Sequence, residues 1–340
     1  GKMEVDPTLA PRTAEDLAAF VEDLHESGIV GLGGAAFPVD WKFDAALRHN
    51  VKTMLINGAE CEPYVTSDNR MMLDHGEDIR RGIELLKKYV KPDNFVFAIE
   101  NNKPHAIAAM KELFADDPTM SIVELPSSYP QGAKQMILYN ALGKVVYAGQ
   151  RFATLGVIII NVSTLAKVAK FMDTGMSLVD RVVTVDGSAI KEPKNVIAPI
   201  GTACKEVIDF AGGFGCEPKK LVMGGPMMGV AQYDLDAPVA KGTSAILAFN
   251  EKDARPVTPT ACGGCIDHCP MNLMPVEIER AYEKNDAEAL KALKVGLCIE
   301  CGCCAFQCPA HRPLVQVNKL SKTLVRDYDN RMKTLKEAGK

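Results

Sequence analysis

The sequence lacks the excess of positive charge that nucleic-acid binding needs. Its 340 residues include 43 Asp or Glu and 39 Lys or Arg, which gives a formal net charge of −4. A nucleic-acid groove carries a basic electrostatic footprint, and this balance excludes it. We therefore expect no nucleic-acid partner.

The sequence also lacks an apolar run long enough to cross a membrane. The longest strongly apolar run is "LGVIII" at residues 155–160, far below the roughly 20 residues that a spanning helix needs. No charged-then-apolar signal peptide opens the chain. We expect a cytoplasmic protein without direct membrane insertion, held at the inner face of a membrane only through partner subunits.

Most of the chain is poor in cysteine. Of the 11 cysteines, only Cys61, Cys204 and Cys216 lie outside residues 262–308. Such crowding is typical of a metal site and not of a disulfide scaffold.

Short apolar runs alternate with helical patterns over residues 13–175, which predicts an α/β domain with a largely parallel sheet. Residues 67–90 read as one helix. Residues 178–245 predict a small α+β module, in which "DRVVTVDGSAI" has two strand-like halves around an Asp-Gly turn. A helical region at 250–325 and a helical tail at 326–340 follow.

The run "CIECGCCAFQCP" at residues 298–309 has the spacing C-x2-C-x2-C-x3-C-P of iron–sulfur ligands. In two-cluster ferredoxins the cysteine before proline reaches the other cluster. Cys298, Cys301 and Cys304 with Cys269 then form one complete [4Fe–4S] site. A structural zinc site is the alternative, although zinc runs seldom use three close cysteines and a distant fourth.

The earlier run "ACGGCIDHCP" lacks its first cysteine, because Pro259 stands at that position. The second site therefore receives Cys262, Cys265 and Cys308, one ligand short. Cys303 is an extra cysteine, which we expect to face away from the complete cluster.

Three interpretations of the second site remain. It holds a cluster with an open corner or one filled by Asp267, His268 or water. It holds a three-iron cluster. Or "CGGC" acts as a C-x-x-C dithiol whose thiolate is the reactive form.

A glycine-dense loop, "GLGGAAFP", follows the first predicted helix. Backbone amides at Gly31, Gly33 and Gly34 can approach a phosphate closely, and Lys42 supplies a positive charge nearby. Glu60 and Glu62 follow a strand, where α/β sheets place ligand loops. Buried there, they would be costly without ligands or partners.

Several long motifs occur in an order that resembles a known family: "GIVGLGGAAFP", "INGAECEPYVTSDNRMML", "IENNKPHAI", "YPQGAKQ", "GGPMMG" and the two cysteine runs. Together they resemble the C subunit of Rnf electron-transport complexes over residues 13–325. Relatives in this RnfC-like family include the flavin subunit of respiratory complex I and proline-reductase-associated electron-transfer proteins. The resemblance implies an FMN- and NADH-binding α/β domain, a β-grasp (SLBB) module and a helical ferredoxin-like iron–sulfur domain.

The resemblance also implies roles for individual residues. Gly31, Gly33 and Lys42 would hold the FMN phosphate, and Phe37 would stack near NADH. The remaining residues of the flavin and nicotinamide pocket would be Asn57, Glu60, Glu62, Gly132, Asn161 and Thr164.

The implied activity is that of an NADH-dependent oxidoreductase. It would pass electrons from NADH through FMN and iron–sulfur clusters to partner electron-transfer subunits or a dedicated reductase. One alternative is a soluble relative that uses "CGGC" as its exit and lacks NADH oxidation. Another is a non-catalytic scaffold, which the retained Lys42, Glu60 and Glu62 disfavour.

Three departures from the family pattern bear on these expectations. Ala133 runs directly into Lys134, where the family usually has an acidic residue, and this weakens the case for NADH more than for FMN. The first cysteine run is one ligand short. The chain begins close to the α/β domain without the usual N-terminal barrel-like domain, so we expect either a fragment or a divergent branch.

Overall fold

A computed structural model describes residues 8, 10–253 and 262–338. The chain divides into two compact units. The first comprises residues 1–226 and 230–250, and the second comprises Met227–Gly229 together with residues 251–340.

The first unit contains a four-stranded, wholly parallel sheet in the order β3–β2–β1–β4. Parallel sheets are covered on both faces, and the nearly continuous apolar runs of the sequence reflect that burial. The strands are β1 (Thr53–Gly58), β2 (Asn94–Glu100), β3 (Met120–Leu125) and β4 (Val157–Asn161). The predicted α/β domain with a parallel sheet is confirmed.

Seven helices of the described chain accompany this sheet. They are α1 (Leu17–Ser27), α2 (Val39–Arg48), α3 (Ser67–Asp74), α4 (Gly76–Tyr89), α5 (Pro104–Leu113), α6 (Lys134–Leu142) and α7 (Val162–Thr174). The prediction of one helix over residues 67–90 is wrong, because the backbone of His75 is non-helical (φ −129°, ψ 37°) and separates α3 from α4.

Strand β1 is the point at which the order of the sheet reverses. The chain runs from β1 through β2 to β3 on one side, and β4 then pairs with the other side of β1. Ligands of open α/β sheets bind outside the carboxyl ends of the strands at such a point. The loop after β1 and the end of β4 therefore mark the place for a site.

A second sheet in the first unit is mixed and five-stranded, in the order β6–β5–β9–β7–β8. Its elements are β5 (Asp180–Asp186), β6 (Lys194–Pro199), α8 (Cys204–Phe210), β7 (Lys220–Met223), β8 (Val230–Gln232) and β9 (Ala245–Phe249). The second strand-like half of "DRVVTVDGSAI" is not a strand, since Ile190 forms only an isolated bridge with Phe214. Gly187 takes φ +113° and packs against the backbone of Ala248, which leaves no room for a side chain.

The second unit is helical in its described part. Its helices are α9 (Gly264–Asp267), α10 (Pro275–Glu283), α11 (Ala287–Ala292), α12 (Cys303–Phe306) and α13 (Leu314–Ala338). Helix α13 runs without a break past residue 326, where the sequence suggested that a tail begins.

Met227–Gly229, between β7 and β8, pack in this second unit. Gln316 Nε2 donates to the Gly229 carbonyl at 3.1 Å, and Lys319 Nζ donates to the Met228 carbonyl at 2.6 Å. Gly302 (φ +80°) lies so close to the Met227 carbonyl that a Cβ there would overlap it.

Among the described helices, none is long and apolar enough to cross a membrane.

Candidate functional site

The glycine loop is closed by backbone hydrogen bonds at its base. Gly31 N–H donates to Phe37 O at 2.8 Å, and Val39 N–H donates to Ile29 O at 3.1 Å. Within the loop Gly34 has φ +100°, a conformation that favours glycine. The loop leads directly into α2, so it presents backbone amides just before a helix N-terminus, an arrangement suited to an anion.

Side chains from distant parts of the chain hold the middle of the loop. Leu32 N–H donates to Thr164 Oγ1 at 2.9 Å, and the Leu32 carbonyl accepts from Arg181 Nη2 at 3.2 Å. Gly33 packs on Asn161, whose Nδ2 would lie 3.4 Å from a Cβ at that position. Asn161 also caps α7, because its Oδ1 accepts from Thr164 N–H at 3.1 Å. The structure thus brings Gly33, Asn161 and Thr164 together, as the resemblance implied.

Lys42 and Lys134 bring two positive charges near each other without an acidic partner. Neither lysine forms an ion pair within the described residues, and Lys134 Nζ lies 5.6 Å from the centre of the Phe37 ring. Burial, with the nearby Lys134 charge adding to it, lowers the pKa of Lys42 to about 7. Burial also lowers the pKa of Lys134. Two neighbouring cations, one of them half-buried and the other exposed, are what an anionic ligand such as a phosphate would neutralise.

Glu60 finds its partners within the protein. Its carboxylate accepts from Asp68 N–H at 2.6 Å, from Asn69 N–H at 3.0 Å and from Ser67 Oγ at 3.4 Å, all at the N-terminus of α3. Burial, with the Asp68 carboxylate adding to it, raises the pKa of Glu60 to about 8. The residue predicted to line the flavin therefore also fixes α3 to the loop after β1.

Asp68 connects that helix to the glycine loop. Its carboxylate accepts from Asn161 Nδ2 at 2.6 Å and from Ser163 Oγ. Burial raises its pKa, and the charge of Arg181 opposes the rise. Arg181 is only 2% exposed, and burial lowers its pKa to about 10. The sequence reasoning missed both residues. Asp68 lies in the motif "INGAECEPYVTSDNRMML", whereas nothing local singles out Arg181.

Lys103 supports the loop after β1 from the side of β2. Its Nζ donates to Ala59 O at 2.6 Å and to Glu60 O at 3.3 Å, and it lies 3.4 Å from Glu100 Oε2. Glu60 takes a left-handed backbone conformation (φ +49°), which these contacts help to hold. Lys103 was also missed, although it lies in the motif "IENNKPHAI".

Asn57 and Gly132 meet on the other side of the same loop. Asn57 Nδ2 donates to Gly132 O at 3.0 Å, and Gly132 N–H donates to Cys61 Sγ at 3.2 Å. Burial raises the pKa of Cys61 to about 12, so this thiol stays protonated.

Glu62 contacts two further loops of the first unit. Tyr129 donates its hydroxyl to Glu62 Oε1 at 3.4 Å. A Cβ added at Gly225 would overlap the Glu62 carboxylate, so the "GGPMMG" loop packs directly against it. Phe37 remains 42% exposed, with its ring edge-to-face against Trp41.

In the second unit, one cavity is lined by five cysteines: Cys269, Cys298, Cys301, Cys303 and Cys304. The four predicted ligands of the complete site therefore surround one space. The expectation that Cys303 faces away is wrong, because its thiol lines the same cavity and hydrogen-bonds with that of Cys301. Gly302, immediately before it, has φ +80° and turns the start of α12 toward the cavity.

The remaining cysteines of the unit also lie close together. Cys265 and Cys308 are buried in one apolar cluster with Cys304. The pKa of Cys265 is raised by burial, and the nearby Cys308 and Cys262 thiols add to the rise. His268 is exposed and its Nδ1 lies 2.8 Å from the Gly264 carbonyl. Pro259 lies outside the described residues.

The thiols of the five-cysteine cavity fit an iron–sulfur cluster chemically. Burial, with the neighbouring Cys298 and Cys301 thiols adding to it, raises the pKa of Cys304 to about 12. Several buried thiolates repel one another, and bound iron would offset that cost by coordinating them. Within the part of the chain that the structure describes, no three His, Cys, Asp or Glu side chains converge closely enough to hold a single metal ion.

Comparison with protein families assigns the two sheets. Residues 24–170 match the Nuo51 FMN-binding domain, and residues 182–231 match the SLBB domain. Among solved structures, the chain is similar to an NAD+-reducing [NiFe]-hydrogenase in the H2-reduced state, with a TM-score of 0.63. That match has 17% sequence identity and covers 93% of this chain and 65% of the other, and at this identity it shows the fold alone.

In sequence, the chain is similar to C subunits of ion-translocating oxidoreductase complexes. The one from the proton-translocating ferredoxin:NAD(+) oxidoreductase complex of Clostridium ljungdahlii is 42% identical over 255 residues, covering 74% of this chain and 56% of that protein. The Na(+)-translocating counterpart of Acetobacterium woodii is 38% identical over 287 residues, covering 83% of this chain and 65% of that protein. The chain thus spans less than two thirds of the length of these relatives. With an FMN-binding domain, an SLBB domain and these relatives, the chain belongs to the RnfC-like family.

Proposed function

We propose that the chain is an NADH-dependent oxidoreductase subunit that passes electrons from NADH through FMN and iron–sulfur clusters to a partner. The observation that carries the proposal is the pair Lys42 and Lys134, two neighbouring cations that have no acidic partner among the described residues of the Nuo51 FMN-binding domain. The site is poised for an anionic ligand. The relatives from Clostridium ljungdahlii and Acetobacterium woodii belong to ferredoxin:NAD(+) oxidoreductase complexes, which supports the same donor and acceptor chemistry.

The residues of the first unit would hold FMN without covalent bonds. Gly33 and Gly34 would offer backbone amides to the phosphate, and Lys42 would pair with its charge. The predicted role of Gly31 changes, because its N–H already donates to Phe37 O and so closes the base of the loop. The pocket would be completed by Phe37, Asn57, Glu60, Glu62, Gly132, Asn161 and Thr164. Bound FMN would supply the conversion between two-electron hydride transfer and one-electron transfer.

No described residue needs to act as an acid–base catalyst in this function. The protein instead fixes the loops: Thr164 and Arg181 hold the glycine loop, and Glu60 ties the loop after β1 to α3. Lys134 follows Ala133 and not an acidic residue, and its ammonium lies against Phe37. NADH would approach the exposed face of Phe37.

In the second unit, Cys269, Cys298, Cys301 and Cys304 would hold one [4Fe–4S] cluster. Cys262, Cys265 and Cys308 would form a second, incomplete site. We interpret residues 13–175 as the FMN/NADH-binding domain, 178–245 as a β-grasp SLBB module, 250–325 as a helical ferredoxin-like domain and 326–340 as a helical tail. We further propose a cytoplasmic location, peripheral to the membrane through partner electron-transfer subunits.

A second candidate function is a soluble relative that delivers electrons to a dedicated reductase through the "CGGC" run. The observation in its favour is the asymmetry of that run, since Cys262 is exposed whereas Cys265 is buried. An exposed thiol beside a buried one suits dithiol exchange with a partner protein.

Anaerobic purification and reconstitution would test the primary proposal. A flavin spectrum, iron and acid-labile sulfide analysis, and stopped-flow reduction by NADH should show non-covalent FMN, at least one cubane per chain and flavin bleaching by NADH. Bound flavin and iron without reduction by NADH would favour the second candidate. A chain that takes up neither flavin nor iron would overturn both.

A further inference from the structure

The cysteine-lined cavity has a polar side chain in its wall that no motif pointed to. Asn318 lies in the second turn of α13, lines the cavity and is 2% exposed. A buried amide needs partners for both its donor and its acceptor, or it costs stability. Its surroundings are therefore informative about its role.

The amide nitrogen of Asn318 faces the thiol of Cys298, with Nδ2 3.5 Å from Sγ. Its oxygen, Oδ1, is buried and has no hydrogen-bond partner in the described chain. Turning the amide over would place that oxygen against the sulfur. Such an orientation would repel a thiolate, so the N–H side is the one that a cluster ligand requires.

Cys298 receives further polar support from its own loop and from α13. Glu300 N–H donates to Cys298 Sγ at 3.3 Å. Lys322, one turn beyond Asn318, donates from Nζ to Cys298 O at 2.6 Å and to Glu300 Oε1 at 2.7 Å. Two N–H donors on the sulfur and the Lys322–Glu300 ion pair therefore lie at this corner of the cavity.

We propose that Asn318 is a positioning residue for the cluster and that its N–H···S hydrogen bond to Cys298 sets the cluster's reduction potential. The inference rests on the proposed [4Fe–4S] ligands. Hydrogen bonds to a ligand sulfur stabilise the reduced cluster, which carries more negative charge, and so raise its potential. Removing the donor should make the midpoint potential more negative.

Two substitutions separate the hydrogen bond from the packing. Asn318→Leu fills the space without a donor, whereas Asn318→Asp keeps the shape and replaces the donor with an acceptor that carries charge. Both should shift the midpoint potential downward, and Asn318→Asp should shift it further. Asn330→Leu is the matched control, since Asn330 is an exposed asparagine on the same helix, and it should leave the potential unchanged.

The measurement is an EPR-monitored redox titration of the reconstituted 340-residue chain. It follows the reduced-cluster signal that Cys301→Ser is expected to abolish. Iron content and circular dichroism are recorded for each variant. If wild-type protein binds no iron at this site, the proposed function fails and not this inference alone. If both Asn318 variants load iron with an unchanged midpoint potential, the inference is overturned. If both remain folded but lose the cluster, it is overturned as well, because Asn318 would then be needed to build the site and not to set its potential.

Discussion

The glycine-loop site and the cysteine cavity handle charge in opposite ways. In the first unit the acids are satisfied within the protein, since Glu60 accepts from the start of α3 and Asp68 from Asn161. The cations Lys42 and Lys134 have no acidic partner in the part of the chain that the structure describes. In the second unit the cavity wall is made largely of buried and half-buried cysteines and apolar side chains. In the proposed function, the first region would hold an anionic ligand reversibly, and the second would ligate iron through its thiolates.

The largest expected effect is confined to the cysteine cavity of the second unit. Cys301→Ser should abolish the reduced-state EPR signal of the complete cluster, because a serine oxygen is a poor ligand for a cubane that needs four thiolates. FMN content should stay unchanged. Cys303→Ser is the matched control from the same cavity, and it should leave iron content and the signal intact. Loss of the signal in the control would mean that Cys303 is itself a ligand.

Lys42→Ala should weaken FMN binding and leave the iron content unchanged. The substitution removes a charge-assisted contact worth about 1.5–3 kcal/mol, which corresponds to a roughly 10- to 150-fold larger dissociation constant. Flavin fluorescence quenching during titration measures it. Lys205→Ala, at an exposed lysine of α8, should bind FMN like the wild type. Equal FMN affinities in the wild type and both variants would show that the FMN phosphate does not bind at Lys42.

The pH dependence of FMN binding should report the pKa of Lys42. Because burial lowers that pKa to about 7, a growing fraction of the free protein has a neutral Lys42 as the pH rises above this value. The dissociation constant should then increase by up to about tenfold per pH unit, whereas binding below pH 7 should be flat with respect to this group. Lys42→Arg should abolish the dependence, since arginine does not lose its proton. A dependence that survives in Lys42→Arg would assign it to another group.

The smallest effect concerns the acid that caps α3. The pKa of Glu60 is raised to about 8, so the folded protein holds this proton more tightly than the unfolded chain. The stabilisation is complete below the unfolded pKa and is lost as the pH rises through 8, by at most about 1.4 kcal/mol per pH unit. Denaturant unfolding at pH 6 and pH 9 should show a smaller loss of stability in Glu60→Gln than in the wild type. Parallel losses in the two proteins would contradict the raised pKa.

The elements that the sequence predicted well are those whose signal is local. The four parallel strands follow from short, almost continuous apolar runs, and Cys269 could be grouped with Cys298 by the spacing rule of paired cysteine runs. The helix break at His75 was missed because the apolar pattern continues across it. The predicted orientation of Cys303 was wrong, because the direction of its side chain depends on the turn that Gly302 makes.

Two long-range contacts of the glycine-loop site were not predicted from the sequence. Arg181 reaches Leu32 across 149 positions of sequence, and Asp68 reaches Ser163 across 95. No local pattern marks such pairs, since any buried strand can carry an arginine on one face. They become visible only when the sheet brings the glycine loop, α3 and β5 together.

The short excursion of Met227–Gly229 into the second unit makes the two units topologically interdependent. After β7 the chain leaves the first unit, contributes three residues to the second and then returns to the first unit to form β8. Cutting the protein near residue 250 would therefore deprive the cysteine-bearing half of the carbonyls that Gln316 and Lys319 bind. A single recombination point near residue 250 therefore does not separate the two units. A chimaera that takes residues 251–340 from another protein would also have to take Met227–Gly229, the tip of the β7–β8 hairpin.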